Sequence, residues 1–281
     1  MKSWWSELDV APPPLTRNER LVIALLSVAG ALSRLAAISL TPWDWDEAQF
    51  MTALRTFDVA MHHPHPPGFP LFIGAAKMLT LAGVAPFRAL QTIVVLAAMA
   101  IVPAMFFLAR EARLPFDVSS SAAVLLAFFP NVWFYGGTAF SDVPAMTLII
   151  VALALLLRGC RSDPAFIGGA IVLAVAAGIR PQNLVIGAVP FLIAALHRRL
   201  RTTVIASVLV LGIMAVSYAI VIQHSEGWAE YRHTLEVHEQ YITQTDSFRS
   251  PSRPALWRVF DDFFIRPYRA PLINTIALRP A

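Results

Sequence analysis

The chain alternates long apolar segments with short polar ones. Eight apolar runs occupy residues 21–40, 68–84, 87–108, 118–135, 143–157, 166–177, 184–196 and 203–222. Their alanine, leucine and glycine content, without sustained period-two alternation, predicts helices rather than barrel strands. Most of the runs approach the thickness of a bilayer core. We therefore expect an all-α polytopic membrane protein.

Composition agrees with this class. Hydrophobic residues make up 57% of the chain and charged residues only 14%, which excludes an ordinary soluble domain. The net charge of +4 does not predict a nucleic-acid partner, because the arginines lie at the ends of apolar runs and form no continuous stripe. The single cysteine, Cys160, excludes an intrachain disulfide.

Arginines flank the apolar runs in four groups, and these groups predict the topology. They are Arg17 and Arg20; Arg110 and Arg113; Arg158 and Arg161; and Arg198, Arg199 and Arg201. The positive-inside rule places all four in the cytoplasm only if run 68–84 does not span. That run contains Lys77 and lies among five prolines between Pro64 and Pro86. We predict about seven transmembrane helices and a cytoplasmic N-terminus.

This topology divides the chain into a transmembrane core, residues 1–222, and an external segment, residues 223–281. The first external loop is residues 41–86. Within it, apolar positions at helical spacing over 46–61 predict an amphipathic helix lying in the membrane interface. In the external segment the pattern predicts a helix over 226–241 and a turn region over 247–254.

Three carboxylates, those of Asp44, Asp46 and Glu47, directly follow the first apolar run. Ionisable groups against a lipid boundary are costly, which favours a chemical role. Paired acids there suit a general base, a metal ligand or a proton or ion pathway. The alternative is that they only cap the interfacial helix and mark the membrane edge.

Histidines form a second polar cluster in the same loop. His62 and His65 could hold a transition metal, but the prolines around them preclude regular helical presentation and weaken a zinc site. Donation of hydrogen bonds to phosphate oxygens suits them better. A solvated proline-rich bend is the alternative. His233 and His238, in the external segment, are interpreted as surface residues.

The second and third outer loops each contribute one charged candidate. Asp142 precedes Pro144 and is either a helix cap or a substrate contact. Arg180, in the sequence Arg180-Pro181-Gln182-Asn183, lies where topology least predicts positive charge. Its guanidinium suits a phosphate or diphosphate, and snorkelling is the alternative. Gln182 joins it as a candidate substrate-binding residue.

Four motifs occur in order along the chain: Trp43-Asp44-Trp45-Asp46-Glu47-Ala48, His65-Pro66-Pro67-Gly68, Ser141-Asp142-x-Pro144 and Arg180-Pro181-Gln182-Asn183. Together they resemble the GT-C superfamily of membrane glycosyltransferases, in the bacterial branch of protein mannosyltransferases and aminoarabinose transferases. The resemblance covers almost the whole chain. It implies an inner, plasma-membrane enzyme that moves a sugar from a polyisoprenyl-phosphate donor, with inversion, to an acceptor at the extracytoplasmic face.

The resemblance also assigns roles to residues. Asp46 would be the general base that deprotonates a glycan, lipid or protein acceptor, or a metal ligand together with Asp142. Glu47 would orient Asp46 or contact the acceptor. His65 would lie near the lipid phosphate, Arg180 would be the basic group of the third outer loop, and Asp142 would help to build the cavity. A divalent metal ion is the one cofactor this assignment leaves open.

Family members continue with further helices beyond the point where this chain stops, so the resemblance covers an N-terminal core and predicts a truncated product or a half that needs a partner subunit. Two other functions remain as alternatives. One is a transporter or flippase of a lipid-linked or small anionic substrate, although no internal repeat is present. The other is an inactive scaffold descended from the enzyme.

Overall fold

The architecture comes from a computed structural model that describes residues 10–42, 44–245, 254–261 and 265. Within these residues the chain forms helices and no strand, which confirms the all-α prediction. The helices are α1 (Arg17–Ala36), α2 (Trp45–Ala53), α3 (Pro70–Leu81), α4 (Pro86–Met99), α5 (Ile101–Glu111), α6 (Phe116–Ala127), α7 (Pro130–Tyr135), α8 (Asp142–Gly159), α9 (Asp163–Ile179), α10 (Gln182–Leu196), α11 (Leu200–His224), α12 (Trp228–Thr245) and α13 (Leu256–Phe260).

Each apolar run became helical, but two of them are interrupted. Run 87–108 forms α4 and α5, which meet at Ala100 with a bend of 42°. Run 118–135 forms α6 and the short α7, which begins at Pro130. Proline lacks the N–H that would continue the preceding helix, so Pro130 starts a new one. Pro103 lies in the first turn of α5 and acts in the same way.

Two of the described helices, α8 and α11, are by themselves long and apolar enough to cross a membrane, and the bent pair α4 and α5 could form a third span. The helices α3, α6, α9 and α10 are apolar but shorter. With 12 residues, α3 is about 18 Å long, well under a bilayer core. α6 has the same length, so length alone does not test the expectation that run 68–84 does not span. The count of seven transmembrane helices stays a prediction.

The core is built around α8 and α9. α8 packs against α9, α5, α10 and α4, and α11 packs against α9. Small residues let these helices approach closely: a Cβ on Gly169 would contact the backbone nitrogen of Leu156. The outward faces of α1, α10 and α11 stay apolar and exposed, as lipid contact requires. Their exposed side chains include Leu25, Leu32, Val185, Val189, Val208 and Leu211.

The interfacial helix is shorter than predicted. α2 ends at Ala53, and turns with one isolated bridge between Asp58 and His63 follow up to α3. The predicted range, 46–61, was wrong at its C-terminal end because a tertiary contact replaces the next helical turn. Lys77 on α3 donates a hydrogen bond of 2.5 Å to the carbonyl oxygen of Leu54, the C-cap residue of α2.

The chain after α11 returns to the first external loop. α12 confirms the helix expected over 226–241, and its Tyr231 hydroxyl donates to the carbonyl oxygen of Pro67 at 3.1 Å. Tyr231, Val59 and Val221 are buried together. The loop between α2 and α3 is therefore held between the core and α12. Most of the turn region expected over 247–254 lies outside the described residues.

Candidate functional site

The first turn of α2 is capped by two of the predicted acids. Asp44 is the N-cap residue: its Oδ1 accepts from the Asp46 N–H at 3.0 Å, and its own N–H donates to Glu47 Oε2 at 3.3 Å. This reciprocal pattern is a capping box. The neighbouring Trp43 lies outside the described residues.

Glu47 also connects α2 to the segment before α8. Its side chain is fully buried, and its second oxygen, Oε1, accepts from the Ala139 N–H at 2.7 Å. Both oxygens thus bind backbone N–H groups, which stabilises a buried carboxylate. Glu47 orients the turn that presents Asp46.

Asp46 points from the same turn toward an open space, and its side chain retains 40% exposure. Partial burial raises the pKa of this carboxyl, the nearby charge of Asp44 raises it further, Arg180 lowers it and Asp142 raises it. A carboxylate with a raised pKa, open to solvent on one side, is suited to accept a proton.

The open space is a cavity of about 530 Å³. Three of the predicted site residues, Asp46, Asp142 and Arg180, line it. The rest of its wall comes from α7, α8 and the connection between them: Asn131, Val132, Tyr135, Phe140, Val143 and Met146. The first, second and third outer loops predicted from the sequence therefore meet at one cavity.

Arg180 follows α9 directly and crosses to α8. Its guanidinium donates to Asp142 Oδ2 at 2.6 Å and to the Ser141 hydroxyl at 3.0 Å. It also lies 5.5 Å from the centre of the Phe69 ring, a cation–π distance. Asp142 is thus both the first residue of α8 and the counter-ion that holds Arg180 at the cavity wall.

His65 lies beside Asp46. Its Nδ1 is 3.0 Å from Gln49 Oε1 and 3.8 Å from Asp46 Oδ1. Burial lowers the pKa of His65 to about 4, with further lowering by His238, Arg180 and His62. The ring is neutral at pH 7, so its contact with Asp46 is not an ion pair at that pH.

Besides Asp44, Glu47 and His65, two more predicted candidates do not line the cavity. Gln182 is exposed in the first turn of α10, and no described contact brings it to the cavity. His62 is exposed on the loop, with its ring centroid 5.7 Å from that of His238. The structure therefore joins Asp46, Asp142 and Arg180 directly, with His65 adjacent.

Several contributors to this region were not predicted from the sequence. Asn131, Tyr135 and Met146 are among those that line the cavity, and His238 packs against His62 and His65 of the histidine loop, the segment between α2 and α3. The aromatic residues that precede Asp142 in the sequence could have indicated Tyr135 as a residue of the site. Nothing in the local sequence could place His238 next to a loop more than 170 residues earlier.

The donor set does not fit a divalent metal ion held by the protein. Asp142 is neutralised by Arg180, whose guanidinium would repel a cation next to Asp46. Among the described residues no group of three or more His, Cys, Asp and Glu side chains is placed to hold a metal. No step of the chemistry below is assigned to one.

Comparisons with known proteins come from structure alone, since no family model and no curated protein matches the sequence. The fold matches the S. cerevisiae protein O-mannosyltransferase Pmt1-Pmt2 complex bound to the sugar donor, with a TM-score of 0.56 and 17% sequence identity. The match covers 84% of this chain and 35% of that chain, so the chain spans about a third of its neighbour's length. The likeness does not support the bacterial branch in particular. What it shows is the fold: the chain is all-α, with the polytopic helical architecture of an integral membrane protein.

Proposed function

We propose that the protein is a membrane glycosyltransferase that moves a sugar from a polyisoprenyl-phosphate donor to an acceptor hydroxyl at the extracytoplasmic face of a plasma membrane. The observation that carries the proposal is the position of Asp46, a partly buried carboxylate on the wall of a cavity that also contains Arg180 and Asp142. The fold shared with an O-mannosyltransferase solved with its sugar donor supports it.

In this mechanism Asp46 takes the proton of the acceptor hydroxyl as its oxygen attacks the anomeric carbon of the donor sugar. The bond from that carbon to the phosphate oxygen breaks, and the phosphate leaves with the electron pair. Attack opposite the leaving group inverts the anomeric centre. The raised pKa of Asp46 favours this step, because a stronger base accepts the proton more readily in the transition state.

Charge on the departing phosphate needs hydrogen-bond donors. Arg180, held by Asp142 and Ser141, would present its remaining guanidinium N–H groups. His65 would add an imidazole N–H, and the ring of Phe69 contacts both His65 and Arg180. Donors placed before the reaction stabilise developing charge without reorganisation.

The cavity has a second, apolar wall. Val132, Phe140, Val143 and Met146 line it beside the polar residues. A lipid-linked sugar has the same division, with a polar phosphosugar attached to an apolar chain. The mixed lining supports a lipid-linked donor over a fully water-soluble one.

Replacement of Asp46 by asparagine tests the proposal. Asn cannot accept the proton, so Asp46→Asn should lower the transfer rate about 10²- to 10⁴-fold, the usual contribution of a positioned general base. The measurement is transfer of a labelled sugar from a polyprenyl-phosphate donor by the reconstituted protein. Asp117 is an exposed acid on α6, remote in sequence from Asp46. Asp117→Asn is therefore the matched control and should keep full activity. Equal transfer by the wild type and Asp46→Asn would remove Asp46 from catalysis.

A further inference from the structure

α12 carries a third imidazole to the histidine loop. The ring of His238 lies 5.7 Å from that of His62 and 6.2 Å from that of His65, measured between ring centroids. Two segments that are remote in sequence, the loop after α2 and the helix after α11, thus place three histidines in one cluster.

The docking of α12 fixes the position of His238. Tyr231, Leu235 and His238 follow each other at spacings of four and three residues and so share one face of the helix. Tyr231 is buried against Val59 and Val221 and binds the Pro67 carbonyl. The same contacts that hold α12 on the loop therefore aim His238 at His62 and His65.

One buried nitrogen of the cluster lacks a partner. Nδ1 of His238 is buried and has no hydrogen-bond partner among the described residues. In the described part of the chain neither His62 nor His238 has a carboxylate within 4 Å, whereas Asp46 lies 3.8 Å from His65. Buried polar groups of native proteins are normally paired, so the unpaired nitrogen of His238 points to a ligand.

We propose that His62, His65 and His238 together bind the phosphate ester of the lipid-linked substrate, with His238 supplied by α12. This assignment rests on the proposed function and deepens it, since it adds a residue from the segment after the last core helix to the donor site.

The geometry and charge of the cluster fit this ligand. Rings about 6 Å apart can each donate a hydrogen bond of about 2.8 Å to different oxygens of one phosphate. Arg180 offers only the N–H groups that Asp142 and Ser141 leave free, so the imidazoles add further donors. Burial lowers the pKa values of His65 and His238, and the neighbouring charges lower them further.

Binding of farnesyl phosphate, an isoprenyl phosphate without a sugar, tests the proposal independently of catalysis. We expect His238→Gln to weaken its affinity for the detergent-solubilised full chain about tenfold, as loss of one charge-assisted hydrogen bond predicts. His233→Gln, an exposed histidine on the same helix, is the matched control and should bind like the wild type. His62→Gln, on the exposed loop, should weaken binding to a similar extent without disturbing α12.

Two comparisons separate the outcomes. Tyr231→Phe removes the bond to Pro67 but keeps all imidazoles, so a loss equal to that of His238→Gln would assign the effect to docking of α12 and overturn the proposal. Wild-type affinity of His238→Gln would overturn it as well. Weaker binding of inorganic phosphate and of phosphatidylglycerol vesicles than of farnesyl phosphate identifies an isoprenyl phosphate as the ligand. If binding of farnesyl phosphate depends on His238 but no sugar is transferred, the phosphate site is supported and only the proposed function is refuted.

Discussion

Asp46 and Glu47 are adjacent acids with opposite environments. Glu47 is fully buried and accepts from two backbone N–H groups, whereas Asp46 faces the cavity. Successive residues of a helix point about 100° apart, so one turn can anchor itself with one carboxylate and offer the other to a substrate. We infer that Glu47 is a positioning residue and that Asp46 is the reacting one.

The charges around Asp46 predict how activity depends on pH. Asp46 acts as a base only when ionised, so the rate should fall on acidification, at a higher pH than for an ordinary aspartate because its pKa is raised. Asp142→Asn removes a negative neighbour and releases Arg180, and both changes lower the pKa of Asp46. The acidic limb of the pH–rate profile should therefore move to lower pH.

Arg180→Gln should do the opposite, because Arg180 lowers the pKa of Asp46. Its acidic limb should move to higher pH, whatever its effect on the maximal rate. The measurement is the normalised profile of sugar transfer for each variant, with Asp117→Asn as the unshifted reference. Superimposable profiles for Asp142→Asn, Arg180→Gln and the wild type would contradict the assignment of Asp46 as the base.

At the scale of elements, the cavity lies where helices are short or interrupted. α2 has nine residues and α7 six, and the chain between α7 and α8 passes close to the end of α1. The side chain of Gln91 stabilises this contact, because it donates hydrogen bonds to the carbonyl oxygens of both Ser39 and Gly137, at 2.8 and 2.7 Å. The elements that carry the site are therefore held by a few backbone contacts.

Substitution of Gly137 tests whether the close contact between the α7–α8 connection and the end of α1 supports the site. A Cβ on this residue would overlap the carbonyl oxygen of Ala37, a backbone atom that cannot turn aside. Gly137→Ala should cost about 1–3 kcal/mol of stability, as overpacking usually does, and should also lower activity, because Ala139 anchors Glu47 only two residues later. The measurements are thermal melting in detergent and sugar transfer.

Gly212→Ala is the matched control. Gly212 lies in the middle of α11 with open space where a Cβ would be, so alanine should stabilise the helix by up to about 1 kcal/mol. A Gly137→Ala variant that melts and reacts like the wild type would show that the α1 contact does not support the site.

At the scale of the whole molecule, the two ends of the bundle differ in chemistry. One end holds the cavity, the histidine cluster and α12. The other holds basic side chains tied to acids between helices: Arg161 pairs with Glu111, and Arg198 with Asp163 at 3.2 Å. This separation agrees with the predicted topology, in which the basic turns face the cytoplasm.

Cysteine labelling in intact cells tests the orientation. Native Cys160 is buried and should not react with the label, so the labelling signal comes from the introduced cysteine alone. A membrane-impermeant maleimide should label Ala60→Cys, on the exposed first loop, in sealed cells, and should label Ala112→Cys, after α5, only once the membrane is permeabilised. The reverse pattern would invert the proposed topology and place the cavity in the cytoplasm.

The local amino-acid sequence by itself determines much of the structure of this protein. Apolar periodicity determined the helices, because a segment in lipid must pair its own backbone groups. The sequence also singled out Asp46, Asp142 and Arg180, because each is a charged residue at the edge of an apolar run. A charge next to lipid is energetically costly, so its presence there indicates a role in chemistry or topology.

Contacts between remote segments decided the rest. α2 ends at Ala53 because Lys77 binds the carbonyl of Leu54, and Glu47 is an anchor because Ala139 approaches it. His238 joined the histidine loop only through the docking of Tyr231 against Pro67, Val59 and Val221. Such pairings carry no local signal, since they depend on packing energies summed over the whole fold. The sequence by itself determined the helices and the charges at their ends, and the tertiary structure determined which of those charges meet.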